Sequence, residues 1–73
     1  MYKLYINGNV DVLIDASYNL SDVLDTLGYF IEIYHFKYKI TECNEEEKIL
    51  AIINSVDDYV SLRNMTNKKL ILK

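Results

Sequence analysis

The sequence predicts one compact α+β domain over residues 1–73, with a mostly antiparallel sheet of about five strands in the order ββαββαβ. Three observations predict it: short segments in which apolar and polar residues alternate, one segment with helical apolar spacing, and turn-forming residues between them. One main helix is expected to pack on one face of the sheet. No proline and no Gly/Ser-rich linker divides the chain, and hydrophobic residues at 51% provide enough apolar surface to fold.

The first hairpin is predicted from two alternating segments that flank Asn7, Gly8 and Asn9. Asparagine and glycine readily adopt the left-handed backbone angles that a tight hairpin turn requires. We therefore expect two strands joined by this turn. The apolar residues expected on their inner faces are Tyr2, Leu4, Ile6, Val10, Val12 and Ile14.

A short amphipathic helix is predicted over about residues 20–27. Asn19 can cap its first turn together with Asp22, and Gly28 can close its last turn in a left-handed conformation. The residues that share its apolar face are Leu20, Val23, Leu24 and Leu27.

The stretch IEIYHFKYKI, residues 31–40, alternates aromatic and basic side chains. In an extended strand, the rings and the cations would point to opposite faces. A platform that stacks nucleic-acid bases needs both on one accessible face, so a core strand is the favoured interpretation. The residues predicted on its core face are Tyr34, Phe36, Tyr38 and Ile40.

The next segment is compatible with two structures. Asn44 followed by three glutamates could cap one long helix from Glu45 to about Arg63. Alternatively, NEEE is the turn of a second hairpin, KILAIIN is its return strand, and Ser55 with Asp58 caps a new helix. The hairpin is favoured, because the second capping box lies where the strand would end. The closing KKLILK, residues 68–73, alternates and predicts a last strand.

Two stretches resemble ubiquitin-like proteins of the β-grasp fold. MYKLYINGNVDVLIDASYNLSDVLDTLGY is similar to the start of the sulfur-carrier proteins of thiamine and molybdopterin synthesis, and SVDDYVSLRNMTNKKLILK resembles the ubiquitin tail. The resemblance implies the fold. Both families act through an exposed C-terminal Gly-Gly, whereas this chain ends Leu70, Ile71, Leu72, Lys73. No functional residue is therefore carried over, and a carrier role is disfavoured.

Composition and isolated reactive residues argue against several functions. Eight basic residues against 11 acidic ones give a net charge of −3, which disfavours charge-driven binding to nucleic acid or membranes. Cys43 is the only cysteine and lies among acids that disfavour its thiolate, and His35 has no carboxylate near it in sequence. We expect no catalytic residue, no metal and no cofactor. The lone cysteine, and the lack of a signal-peptide or membrane-spanning segment, predict a soluble cytoplasmic protein.

The acidic residues and the seven tyrosines have two interpretations each. The acids could be a solvated face, or an anionic surface that engages a basic partner. The tyrosines could border a small core or supply an interface. The residues predicted to bind a partner are Glu45, Glu46, Glu47, Asp57, Asp58 and Tyr59.

The leading hypothesis is therefore a non-enzymatic protein-interaction module whose partner is basic or handles nucleic acid. The short length of the chain and its Ile/Asn/Lys/Tyr-rich composition are typical of small phage or mobile-element proteins. The specific form of this hypothesis is therefore that the protein inhibits a host enzyme. The alternatives are a β-grasp carrier or scaffold and a small nucleic-acid binder, and a homodimer is left open. The lysines of the nucleic-acid alternative are Lys37, Lys39, Lys68, Lys69 and Lys73.

Overall fold

The computed structural model describes the backbone of residues 1–71 and the side chains of residues 1–66. It is a small α+β domain in which two helices accompany a four-stranded antiparallel sheet of strand order β2-β1-β3-β4. The elements follow one another as ββαββα, which confirms the predicted class and its antiparallel sheet. Their bounds are β1 Tyr2–Ile6, β2 Val12–Ser17, α1 Leu20–Ile33, β3 Tyr38–Cys43, β4 Glu47–Ile53 and α2 Val56–Ile71.

The first hairpin forms as predicted, but its connection is different. No described residue has a positive φ, so the left-handed turn at residues 7–9 is wrong. The loop is instead bonded to another part of the chain: the Asn7 N–H donates to the Lys37 carbonyl at 2.8 Å. Val10 and Val12, expected on the inner face, are exposed. A bulge opposite Leu4 and Tyr5 shifts the pairing of β2.

Helix α1 starts where the sequence predicts and ends later. The Asn19 side chain accepts a hydrogen bond from the Ser21 N–H at 3.0 Å and caps the first turn. The helix then continues past Gly28 to Ile33, so the predicted end at Gly28 is wrong. It continues because Ile31, four residues after Leu27, extends the buried face.

The stretch 31–40 is therefore divided between two elements and their connection rather than forming one strand. Its first three residues belong to α1, residues 34–37 are a connection, and β3 begins at Tyr38. Tyr38 and Ile40 are buried as predicted, whereas Tyr34 and Phe36 are 47% and 49% exposed. The core assignment of those two rings is wrong, because the strand on which it depended begins only after them.

The second hairpin is confirmed, and the long helix from Glu45 is excluded. Strands β3 and β4 pair on either side of a turn at residues 44–46. The predicted cap at Ser55 is also present: Ser55 Oγ accepts from the Asp58 N–H at 3.3 Å. The Asp58 carboxylate reaches back to the Asn54 N–H at 3.0 Å, one residue before the partner expected in a capping box.

Helix α2 replaces most of the predicted last strand. Residues 68–71 lie in the helix, and Leu72 and Lys73 lie outside the described residues. No glycine or proline occurs between Val56 and Ile71 to end the helix, so a short alternation of apolar residues does not redirect the chain.

The core lies between one face of the sheet and the helices. Side chains of α2 that contribute to it include Tyr59 and Leu62, which pack against the buried cluster. The buried hydrophobic residues are Leu4, Val23, Leu24, Leu27, Ile31, Tyr38, Ile40 and Ile53.

Neither helix, over the described part of the chain, is long and apolar enough to cross a bilayer.

Candidate protein-interaction surfaces

The residues predicted to bind a partner fall at two ends of the sheet. Glu45 and Glu46 are exposed in the β3–β4 turn, and Asp57 and Asp58 begin α2. Strand β4 runs between the two groups, and its seven residues separate them by roughly 20 Å. The structure therefore does not bring the predicted acids together into one site.

The turn between β3 and β4 forms an acidic surface. Lys48 offsets part of its charge through an ion pair with Glu46 at 3.4 Å, and both side chains are about three-quarters exposed. Solvent screens a pair this exposed, so it contributes little. We call this surface the acidic turn; the residues that line its shallow depression are Glu42, Asn44, Glu45, Glu46 and Lys48.

Glu47 comes directly after this turn in sequence but has a different environment. Its Oε2 atom accepts hydrogen bonds from Thr41 Oγ1 and from the Tyr5 hydroxyl, both at 2.7 Å. The Thr41 bond, then the Tyr5 bond, lowers the pKa of the Glu47 carboxyl. The same Glu47 contact is the main cause that raises the pKa of Tyr5 to about 12. Glu47 is thus exposed, but its carboxylate is already hydrogen-bonded to two other strands of its own sheet.

The three residues predicted at the start of α2 have three different roles. The Asp58 N–H donates to the capping Ser55 hydroxyl, and the Asp58 carboxylate accepts from the Asn54 N–H just before the helix. Tyr59 is half-buried and packs against the core. Asp57 alone is exposed without either role, so it is the residue of this group that is most available to a partner.

Four aromatic rings form a continuous row at the end of α1. Tyr29 and Phe30 meet edge to face at 6.2 Å, Phe30 and Tyr34 lie 5.9 Å apart, and Tyr34 stacks on Phe36 at 5.8 Å with 9° between the ring planes. Tyr29 is 67% exposed, and Tyr34 and Phe36 are about half exposed. Sequence reasoning assigned two of these rings to the core. The signal that could have found the row is the aromatic spacing 29, 30, 34, 36 across a helix end.

This row and the start of α2 lie at the same end of the sheet. Tyr38 pairs with both Ile6 and Ile53, so the connection that precedes β3 lies beside the junction between β4 and α2. The bond from Asn7 to the Lys37 carbonyl fixes that connection. We call this region the aromatic end; its residues are Tyr29, Phe30, Tyr34, His35, Phe36, Lys37 and Asp57.

The basic and reactive residues are distributed over several parts of the surface. Lys37 is exposed at the aromatic end, whereas Lys39 is ion-paired with Asp11. The side chains of Lys68, Lys69 and Lys73 lie outside the described residues. His35 is exposed, and Cys43 is a half-buried free thiol. Over the part of the chain that the structure describes, no three His, Cys, Asp or Glu side chains are grouped so that they could hold a metal ion.

Comparison of the chain with protein-family models, with curated proteins and with solved structures finds no match. The resemblance to ubiquitin and to the sulfur carriers therefore stays a prediction. What can be proposed about function depends on the acidic turn, on the aromatic end and on the sheet between them.

Proposed function

We propose that this protein is a non-enzymatic interaction module that binds a basic protein partner through its aromatic end. The observation that carries the proposal is the row of rings from Tyr29 to Phe36, of which three are about half exposed or more. Aromatic side chains offer large contact areas with few rotatable bonds, and they are enriched among the residues that dominate binding energy at interfaces.

The charges of the chain favour a basic partner. The net charge is −3, and Asp57 adds an exposed carboxylate to the aromatic end itself. The faces of aromatic rings also attract cations, and arginine stacks on them well. In this proposal the acidic turn, at the opposite end, contributes mainly long-range attraction, which increases association rates more than affinity.

A basic surface that this module covers could be one that another macromolecule uses. Enzymes that handle nucleic acid carry such surfaces, because they neutralise phosphates with lysine and arginine. Binding by an acidic module would compete with the nucleic acid for that surface. Inhibition of such an enzyme, by a small phage or mobile-element protein, is the concrete form of this proposal.

The test is affinity capture from cytosol followed by quantitative binding to the purified partner. The Tyr34→Ala/Phe36→Ala double variant should weaken binding at least about tenfold, because it removes the stacked pair. Tyr18→Ala is the matched control, since Tyr18 is 83% exposed and lies beside Ser17, at the opposite end of the sheet. Equal binding by wild type and the double variant would exclude the aromatic end as the binding surface.

The charges are tested separately. Asp57→Lys should slow association and raise the dissociation constant, and Glu45→Lys with Glu46→Lys should mainly slow association. Both effects should diminish as salt is added, because exposed charges are screened. A partner whose association rate is the same for wild type and both charge variants would contradict a basic binding partner.

Binding of single-stranded nucleic acid is a second candidate, favoured by one observation. The stacked pair of Tyr34 and Phe36 lies next to exposed His35 and Lys37, and such a combination can stack bases and hold phosphates. The net charge of −3 opposes it. We expect no retardation of DNA or RNA oligonucleotides at physiological salt. A salt-dependent shift that Lys37→Glu abolishes would favour this candidate over the first.

A further inference from the structure

The sheet face opposite the helices is open over the described residues and carries aliphatic side chains on both edge strands. Leu13 of β2 is 52% exposed, and Ile49 and Ile52 of β4 are 62% and 43% exposed. Aliphatic surface is therefore exposed at both sides of this face, with the side chains of β1 and β3 between them. The face is separate from the aromatic end, so a role for it does not depend on the proposed function.

The strand register arranges the side chains of this face in two rows across the sheet. In the first row, Tyr5 pairs with Leu13 on one side and with Lys39 on the other, and Lys39 pairs with Ile52. Because paired residues share a face, the row reads aliphatic, tyrosine, lysine, aliphatic. The second row consists of Ala16, Lys3, Thr41 and Ile49.

The polar groups between the aliphatic edges compensate one another. Lys39 forms an ion pair with Asp11, and its ammonium lies 5.2 Å from the centre of the Tyr5 ring. Glu47 accepts hydrogen bonds from Thr41 and Tyr5. The two lysines of the face, Lys3 and Lys39, balance the charges of Asp11 and Glu47. The charges of these four side chains cancel, so as a group they neither select a charged partner nor repel an identical group.

We propose that a second copy of this chain covers this face, with the two sheets packed face to face about a two-fold axis that is parallel to the strands and passes between β1 and β3. Such an axis places each β2 over the β4 of the other copy. Leu13 then faces Ile52 of the second copy, and Tyr5 faces the second copy's Lys39. In the other row the small Ala16 faces the large Ile49, which allows the two surfaces to interdigitate.

The geometry also limits the contact area of the dimer and disfavours a competing arrangement. Four strands spaced roughly 4.8 Å apart give a narrow contact surface, at the small end of specific interfaces, so we expect a dimer that dissociates on dilution. Pairing of two β4 edges is disfavoured, because the register of β4 shifts opposite Ile40 and Thr41 and leaves Leu50 unpaired. Such bulges interrupt the regular edge that a second strand would need.

Light scattering after size exclusion, over a concentration series, tests the proposal. The mass should rise from that of one chain to that of two chains as concentration increases. Leu13→Lys and Ile52→Lys should each raise the monomer–dimer dissociation constant at least about tenfold, since they replace apolar contacts by charge near the lysines of the face. Val10→Lys is the control, because Val10 is 77% exposed but lies in the β1–β2 loop. A wild type that stays monomeric, or a control that weakens the dimer equally, would overturn the proposal.

Cross-linking identifies the surface used. In a Cys43→Ser background, a mixture of Leu13→Cys and Ile52→Cys chains should be joined by a short bis-maleimide, and Leu50→Cys chains should not be joined to one another. The opposite pattern would assign the dimer to the edge of β4 and contradict face-to-face packing. Thermal unfolding of the dilute lysine variants should match that of the dilute wild type, because both substituted positions are exposed in the monomer.

Discussion

The phenol of Tyr59 lies against Gly28, so close that a β-carbon built on the glycine would be 2.5 Å from the Tyr59 hydroxyl oxygen. The ring carbon that carries this hydroxyl would be only 2.9 Å away from the same β-carbon. Real β-carbons do not approach other atoms this closely, so the absence of a side chain at Gly28 is what allows α2 to pack on α1 at this point. A glycine inside a helix otherwise costs stability relative to alanine.

Gly28→Ala should therefore destabilise the protein, although alanine is the better helix former. We expect a loss of about 1–3 kcal/mol in the free energy of unfolding, as is usual for overpacking. Gly8→Ala is the matched control: its nearest non-neighbouring atom would be 3.9 Å away, and the change should stay within about 0.5 kcal/mol. In a Tyr59→Ala background the sign should reverse, with Gly28→Ala stabilising by roughly 0.5–1 kcal/mol. Urea denaturation of the four variants measures this, and the same sign in both backgrounds would contradict the contact.

Phe36 and Ile40, which the sequence assigns to one face, should differ sharply in their effect on stability. Phe36 is 49% exposed, so Phe36→Ala should cost at most about 1 kcal/mol. Ile40 is fully buried, and Ile40→Ala should cost about 2–5 kcal/mol, because it leaves a cavity in the core. Denaturant unfolding compares the two. Similar losses for both variants would show that Phe36 is packed more tightly than its exposure indicates.

Features that depend on a few neighbouring residues could be predicted from the sequence. The Asn19 and Ser55 caps form because their hydrogen bonds join groups a few positions apart, and the second hairpin forms because its strands are joined by a short turn. The alternation of β1 places Leu4 in the core as expected. Local chemistry of this kind decides where elements begin.

Features that depend on distant residues could not be predicted in this way. A glycine at position 28 is typical of a helix end, but here it leaves space for the side chain of Tyr59, which lies 31 positions later. Tyr34 and Phe36 fit a strand pattern, yet β3 begins only where Tyr38 can pair with Ile6 and Ile53. In each case a partner outside the local sequence determined the outcome.

The candidate site was predicted in part for the same reason. The exposure of Glu45 and Glu46 results from the turn that contains them. Glu47, one position later, turns onto the sheet and bonds to Tyr5, which is 42 positions away. The abundance of tyrosine was compatible with both a core border and an interface, and the exposure of Tyr34 depends on where α1 ends.

The Ser55 cap of α2 should make a measurable contribution. Ser55→Ala removes the acceptor of the Asp58 N–H and should cost about 1 kcal/mol, the usual value for an N-cap serine. Ser61→Ala is the control, because Ser61 is exposed in the middle of α2, where alanine is the better helix former. Thermal or urea unfolding should rank the control at or above wild type. A Ser55→Ala variant as stable as wild type would mean that the cap contributes nothing.

Acid should weaken the protein partly through Glu47. Its hydrogen bonds from Thr41 and Tyr5 lower its pKa below the ordinary 4.5, so the folded state favours the carboxylate. The resulting stabilisation is present above the ordinary pKa and is lost as pH falls through the lower, folded-state pKa. Glu47→Gln should therefore lose less stability than wild type when pH falls from neutral through this range. Urea unfolding at a series of pH values measures this, and the same pH dependence for Glu47→Gln and wild type would contradict it.

Alkali should weaken the protein partly through Tyr5, with the opposite dependence on pH. The hydrogen bond to Glu47 is the main cause that raises the pKa of Tyr5 from 10.0 to about 12, because ionisation would remove the donated proton and place two anions together. The folded state therefore favours the neutral phenol. This contribution is fully present below pH 10 and is lost as pH rises from 10 toward 12.

Ultraviolet absorption follows the ionisation of tyrosine, and the difference between wild type and Tyr5→Phe isolates this one group from the other six. We expect the difference curve to have its midpoint near 12, and Glu47→Gln should move it back toward 10. A difference curve centred on the ordinary tyrosine value in the wild type would show that the Tyr5–Glu47 bond does not form in solution, and the polar centre of the open sheet face would then be uncompensated.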